Sequence, residues 1–330
     1  MSALPVPQSA PRTAARIRWQ AVHGLLLLDK PVGPSSNGAL QRARRALCAA
    51  KGGHAGTLDP FASGLLPIAL GEATKFLHDL LEADKSYEAT LQLGVTTDTG
   101  DDTGAVLTHN AVTARDDAIL EACQSFVGAI EQVPPMYSAL KREGRPLYDY
   151  ARAGLTVARE ARPVHLHAIS VLAIDRSIAA RPVVRLRADV SKGTYLRVLA
   201  EDIGARLGCG AHLTGLRRLR IADLDLNDAV PLDALEAMTP EDRLSRMLPV
   251  DRLVASLPRI ELDSERARRF LQGQRIILDP AQRPTEAQTP EGLVRVYQTP
   301  HLLGTALFSP PGLIAPQRVL AAPPHAATPS

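Results

Sequence analysis

Cysteine is scarce in this 330-residue chain: Cys48, Cys123 and Cys209 are far apart and odd in number. With no CxxC pair and no zinc-type spacing, a disulfide framework and a cysteine-held zinc are excluded. The three read as buried thiols of a reducing cytosol. Aromatic residues are only 4% of the chain, too few for a broad stacking platform along a single strand, though enough for one or two placed rings. No apolar run reaches membrane-spanning length. GxGxxG, the P-loop, HExxH and GxSxG are all missing, which removes the common nucleotide, zinc-protease and serine-hydrolase signatures. Lysine is also rare: six of the 38 basic residues are lysine and 32 are arginine.

What is present reads as an ordinary globular protein of about two domains, 45% apolar and 22% charged. The net charge of +3 says little. The arginine excess fits either phosphate recognition by a planar fork or a biased composition. Basic clusters at Arg42-Ala43-Arg44-Arg45, at Arg217-Arg218-Leu219-Arg220, and at Lys141-Arg142 with Arg145 are candidate phosphate holders. Residues 1–20 carry no apolar stretch of the signal-peptide kind and read as a disordered tail, a transit peptide being the alternative. Residues 321–330 read as a second tail.

Gly24 to Leu28 is an apolar run closed by Asp29-Lys30-Pro31-Val32-Gly33-Pro34, a buried strand entering a turn. Ser35 or Ser36 caps a helix expected to reach about Ala50. Strands are predicted at Leu65–Leu70, at Tyr87–Leu93 by alternation, and near 164–174 and 182–190. Helices are predicted over Ala73–Ala83, 115–127, Leu147–Ala153 and Tyr195–Leu207, with a polar turn over Thr96–Gly104. This order is mixed rather than βαβ, so the fold class is α+β. Composition changes near 247–262, and one helix (Ser264–Gln272) among short strands marks a small β-rich unit, with a loop over 280–292.

The densest chemistry lies in Gly53-His54-Ala55-Gly56-Thr57-Leu58-Asp59-Pro60. Glycines there let a large substrate come close to the backbone, and Pro60 restrains Asp59. Asp59 offers a carboxylate as nucleophile or base. Tyr87 offers a ring and a phenol, and Ser191 to Arg197 offers Tyr195 and Arg197. Asp98, Asp101 and Asp102 lack EF-hand spacing and read as an Asx-type turn rather than a cation site. Asp223-Leu224-Asp225 reads as two surface acids.

Taken together, these segments resemble the bacterial tRNA pseudouridine synthase B (TruB) family. The matching pieces are Gly24 to Gly33, Gly53 to Pro60, Leu70 to Phe76, Lys85 to Ala89, Gly94 to Gly104, Pro134 to Leu140, Lys192 to Arg197 and Leu207 to Leu213, in the family's order over roughly residues 22–220. The resemblance implies a mixed, largely antiparallel central sheet flanked by helices (catalytic domain 21–248) and a β-rich PUA-like RNA-binding domain (249–320). It implies conversion of uridine 55 in the tRNA T loop to pseudouridine by base flipping. On the family pattern Asp59 is the essential carboxylate, acting by attack on C1′, by addition to the ring, or by taking the ribose 2′ proton. Arg197 pairs with it and lowers its pKa. Tyr87 lies on the flipped base and can move a proton late in the reaction. His54 fills the space the base leaves, Tyr195 shapes the pocket, and Lys75 and Leu216 lie near it. The insertion around Met136 to Leu140 grips the RNA. The resemblance implies no metal, no cofactor, no membrane and no protein partner, in a cytoplasmic monomer acting on the T stem-loop of tRNA. A non-catalytic tRNA-binding factor and an isomerase for another RNA are the alternatives.

Overall fold

The computed structural model describes residues 18–138, 140–178, 180–279 and 291–321. The expected tails lie outside that set except for residues 18–20 and 321. So does the expected loop as far as residue 290; Gly292 already opens a strand.

The elements run β1 (Gly24–Lys30), α1 (Ser36–Ala46), β2 (Gly52–His54), β3 (Ser63–Leu70), α2 (Leu77–Glu82), β4 (Lys85–Leu93), β5 (Val95–Thr97), β6 (Val106–His109), α3 (Asp116–Gln124) and β7 (Gly128–Gln132). Then come β8 (Lys141–Arg142), β9 (Arg145–Pro146), α4 (Leu147–Arg152), β10 (Arg162–Asp175), β11 (Val183–Val190), α5 (Leu196–Arg206), β12 (Ala211–Ile221), β13 (Leu224–Asp225), β14 (Val230–Pro231), α6 (Leu232–Ala237) and α7 (Pro240–Ser245). The C-terminal part has β15 (Arg259–Glu261), α8 (Ser264–Leu271), β16 (Ile276–Ile277), β17 (Gly292–Gln298), β18 (His301–Ser309) and β19 (Leu313–Val319). A central sheet in the order β14-β1-β3-β12-β4-β11-β10-β7 forms the body, and β15-β17-β18-β19-β16 forms a second sheet. The central sheet is antiparallel except where β1 meets β14 and β12 meets β3. The fold is therefore α+β, with a largely antiparallel sheet and a β-rich C-terminal part. No helix among the described residues is long and apolar enough to cross a membrane.

The apolar patterns explain this layering. In β1, Leu25 and Leu27 enter one core and Leu26 and Leu28 another, so the strand is buried on both faces and reads as a continuous apolar run. β4 instead alternates: Tyr87, Ala89, Leu91 and Leu93 point into a core while Glu88, Thr90 and Gln92 face the other way. Helix α1 starts where Ser35 accepts a hydrogen bond from the Gly38 amide. It ends at Ala46, short of the expected Ala50, because Cys48 adopts φ +50° and cannot continue it.

Two departures from the sequence reading matter for the site. The polar turn expected over Thr96–Gly104 begins as strand β5, paired with β6; only the tip is a turn, where Asp98 accepts from the Ala105 amide and Asp101 from the Thr103 amide. Residues 211–221, read only as a motif followed by a basic cluster, form the long strand β12. Bulges between Leu213 and Gly215 and between Arg218 and Arg220 break its two-residue alternation and hide it in the sequence.

The second sheet does not hang on a free linker. Val250, Leu253 and Val254 pack with Leu25, Phe76 and Leu80 of the body and with Tyr297, Leu302 and Leu320 of the C-terminal part in one apolar cluster. The Tyr297 hydroxyl donates to Asp251 at 3.0 Å.

Candidate active site

The Asp59 loop is pinned from several directions. Ser36 Oγ donates to the Leu58 carbonyl at 2.9 Å and accepts from the Leu58 amide at 2.7 Å. The Gly33 amide donates to the Pro60 carbonyl and the Ala62 amide to the Asp59 carbonyl, so the loop turns sharply after Asp59. Beneath it the Lys30 ammonium, wholly buried, donates to the carbonyls of Pro31 and Pro34 at 2.9 and 2.8 Å. Burial lowers the Lys30 pKa to about 8, against a pull in the other direction from the Asp59 charge.

Arg197, in the first turn of α5, is brought to this loop from 138 positions away in the chain. Its buried guanidinium lies 3.1 Å from Asp59 Oδ2 and 3.7 Å from Asp101 Oδ2. It also donates to the Thr99 carbonyl at 2.9 Å and the Tyr137 carbonyl at 2.5 Å. Asp101 is buried, and its Oδ1 accepts from both the amide and the hydroxyl of Thr103 and from the Thr99 hydroxyl. The result is a carboxylate–guanidinium–carboxylate line with one open end, because Asp59 keeps 37% of its side chain exposed while Asp101 keeps 5%.

The Arg197 charge and hydrogen bond pull the Asp59 pKa down, as expected of the pair, but other influences outweigh them. The net shift is upward: burial is the largest influence, the Asp101 charge adds to it, and Arg197 and Lys30 oppose it without prevailing.

The other residues named from the sequence fall into two groups. Tyr87 is buried on β4 with Leu58, Phe61 and Ala62 of the Asp59 loop in the same cluster. Tyr195 caps α5; its amide donates to Gln132 Oε1 at 2.9 Å, and burial raises its phenol pKa. His54, on β2, has a buried Nδ1 without a hydrogen-bond partner, and burial together with the Arg218 charge lowers its pKa, so the ring is neutral near pH 7. Leu216 lines an open cleft of about 560 Å³ with Pro60, Phe61, Glu88, Thr90 and Asp102. Asp59 and Tyr87 do not line that cleft themselves; their chain neighbours Pro60 and Glu88 do. Lys75 stands apart, since its ammonium bonds Glu72 at 2.6 Å and the Val319 carbonyl at 2.8 Å, tying the body to the C-terminal sheet.

The basic clusters are also redistributed. Arg42 pairs with Asp233 and Glu236, Arg44 bonds the carbonyls of Ala49 and Ala50, Arg217 pairs with Asp29, and Arg218 is buried. These four serve the fold, whereas Lys141, Arg142 and Arg145 remain exposed on the β8–β9 hairpin. Asp101, Lys30 and Arg218 were missed as site residues. Asp101 sat in an Asx-turn signature, and Arg218 was indistinguishable from its surface neighbours.

Comparisons with known proteins point to one family. The model of the TruB family pseudouridylate synthase N-terminal domain matches residues 44–196. That of the tRNA pseudouridylate synthase B C-terminal domain matches 197–255, and that of the pseudouridine synthase II TruB C-terminal region matches 258–320. A tRNA pseudouridine synthase B of Burkholderia mallei (strain ATCC 23344) is 54% identical over 307 residues, covering 92% of this chain and 96% of the relative. One from Ralstonia pickettii (strain 12J) is 49% identical over 326 residues, covering 96% and 98%. Among solved structures, a chain of a Cbf5-Nop10-Gar1 complex superposes with a TM-score of 0.67 at 25% identity, covering 90% of this chain and 84% of that one.

Proposed function

The chain belongs to the TruB family of pseudouridylate synthases, and from that premise we propose that it is a tRNA pseudouridine synthase acting on uridine 55 of the T loop. The observation that carries the reading at residue level is the Asp59–Arg197 pair at 3.1 Å, built on a loop pinned by Ser36 and packed against Tyr87.

The target uracil must leave the stack before its glycosidic bond is reachable, and a single-stranded loop makes that inexpensive. Tyr87 then supports the extruded ring, while Tyr195 and Leu216 bound its pocket and His54, neutral, fills the space vacated in the RNA. The isomerisation breaks N1–C1′, turns the uracil, and forms C5–C1′; the C5 hydrogen leaves as a proton and N1 gains one. The Asp59 carboxylate acts at C1′, at the ring or at the ribose 2′ proton, and the Tyr87 phenol moves the late proton. Arg197 keeps Asp59 oriented and favours its charged form, working against the burial that the closed site needs. The exposed Lys141–Arg145 hairpin and the β-rich part (residues 249–320) hold the rest of the tRNA, with Lys75 tying the β-rich part to the body.

The test is tritium release from tRNA carrying 5-³H-uridine, which reports loss of the C5 hydrogen. Wild type is expected to release tritium and Asp59→Asn to release none while still binding tRNA. Near-normal release by Asp59→Asn would remove Asp59 from its role; no release by the wild type, with tRNA bound, would favour a binding factor.

A further inference from the structure

Arg218 has no part in the chemistry described so far, yet it is the most deeply buried arginine among the described residues. It lies directly opposite Tyr87 in the β12–β4 register and beside Gly64 in the short parallel contact with β3. Its side chain is wholly buried. Nε donates to the Leu65 carbonyl at 2.8 Å and Nη2 donates to the Gly56 carbonyl at 2.9 Å, while Tyr87 stands directly across the strand pair from it. One rigid group therefore bonds β3 and the loop that carries Asp59 three residues after Gly56, and it lies across the strand pair from the ring expected under the uracil.

Two glycines make room for it. A Cβ at Gly56 would stand 3.1 Å from Arg218 Nη1, and one at Gly64 would stand 2.3 Å from the Arg218 carbonyl oxygen. No carboxylate pairs with this buried cation in the structure described. Burying an unneutralised charge is costly, and an apolar side chain would fill the space more cheaply if stability were the only demand. A planar fork, unlike an ammonium, can hold several acceptors at fixed mutual distances.

We propose that Arg218 is a positioning residue whose guanidinium fixes the separation between the Asp59 loop, through the Gly56 carbonyl, and the Tyr87 phenol, and so sets where the uracil lies between them. This rests on the roles proposed above for Asp59 and Tyr87.

The experiment is a double-mutant cycle of Arg218→Lys and Tyr87→Phe, read by single-turnover tritium release and by dissociation constant for a T stem-loop RNA. With Tyr87 intact, Arg218→Lys is expected to slow single turnover by about 10- to 100-fold, the scale of a misplacement of about 1 Å. Binding should stay within about twofold, because the lesion is in the approach of reacting groups. In the Tyr87→Phe background the same substitution is expected to cost less than about threefold, since contacting residues are not additive. Equal losses in both backgrounds, or a rate loss matched by weaker binding, overturn the proposal and leave Arg218 a structural residue. Arg218→Gln, which retains a donor without a buried charge, runs the same cycle should the lysine variant not fold. Wild-type release on the stem-loop reports the function independently, so failure of that reading is distinguished from additivity within the cycle.

Discussion

Replacing Arg197 with methionine keeps the length and much of the apolar stem while removing the cation between Asp59 and Asp101. For unit charges 3.1 Å apart, Coulomb's law at an effective dielectric of about 20 gives about 5 kcal/mol. Asp59 keeps 37% of its side chain in solvent, which screens roughly half of that. The remaining stabilisation of about 2.5 kcal/mol corresponds to a loss of about 70-fold in single-turnover rate if it is realised at the transition state. Asp101 is enclosed and loses its counter-charge as well. Removing one partner of a buried pair costs about 3–5 kcal/mol, and because the Thr99 and Thr103 bonds to Asp101 persist, the lower end applies to folding stability. The pH profile gives the sign. Without Arg197 the already raised Asp59 pKa rises further, its ionised fraction at a given acidic pH falls, and the acid limb of the rate moves to higher pH. The assay is single-turnover tritium release from a labelled T stem-loop across pH 5 to 8, with urea unfolding alongside. A rate within about threefold of wild type with the acid limb unmoved would refute the electrostatic role; a stability loss alone would not rescue it.

Asp101→Asn removes the like charge that raises the Asp59 pKa, so its acid limb should move to lower pH, opposite to Arg197→Met; an upward shift contradicts the assignment. Gly64→Ala places a Cβ 2.3 Å from the Arg218 carbonyl oxygen at φ +101°, and should destabilise the fold by about 2 kcal/mol or more in urea unfolding, with an unchanged midpoint as the contrary result. Lys30 has a folded pKa of about 8 against 10.5 when unfolded, so between those values the unfolded state binds more protons and this group's contribution to stability rises with pH. The stability of wild type relative to Lys30→Met should therefore improve from pH 8 to 10; a flat difference across that window would mean the buried ammonium titrates normally.

Patterns that depend on neighbours in the chain were legible. The apolar run of β1, the alternation of β4 and the helical spacing of α5 each follow from burying a particular face, and the structure shows those faces buried. The Asp59 loop was legible for a different reason: glycines, a carboxylate and a proline together imply close backbone approach even before any partner is known. β12 was not legible, because two bulges shift its faces and five basic or polar residues interrupt its apolar ones. The arginines within it show why composition misleads. Arg217 and Arg218 are adjacent in sequence, yet one pairs with Asp29 at the cleft and the other is enclosed beneath the Asp59 loop.

The sequence by itself determined the main elements, the α+β order and the family, since these rest on local periodicity and on motifs in a fixed succession. Tertiary structure alone decided which charges meet. Arg197 reaches Asp59 and Asp101, Arg218 reaches Gly56 and pairs in register with Tyr87, and Lys75 reaches the C-terminal strand. It also set the net direction of the Asp59 pKa, in which burial outweighs the downward pull of Arg197. A pKa depends on how much water the fold removes and on every charge within several ångströms, and neither quantity is written along the chain.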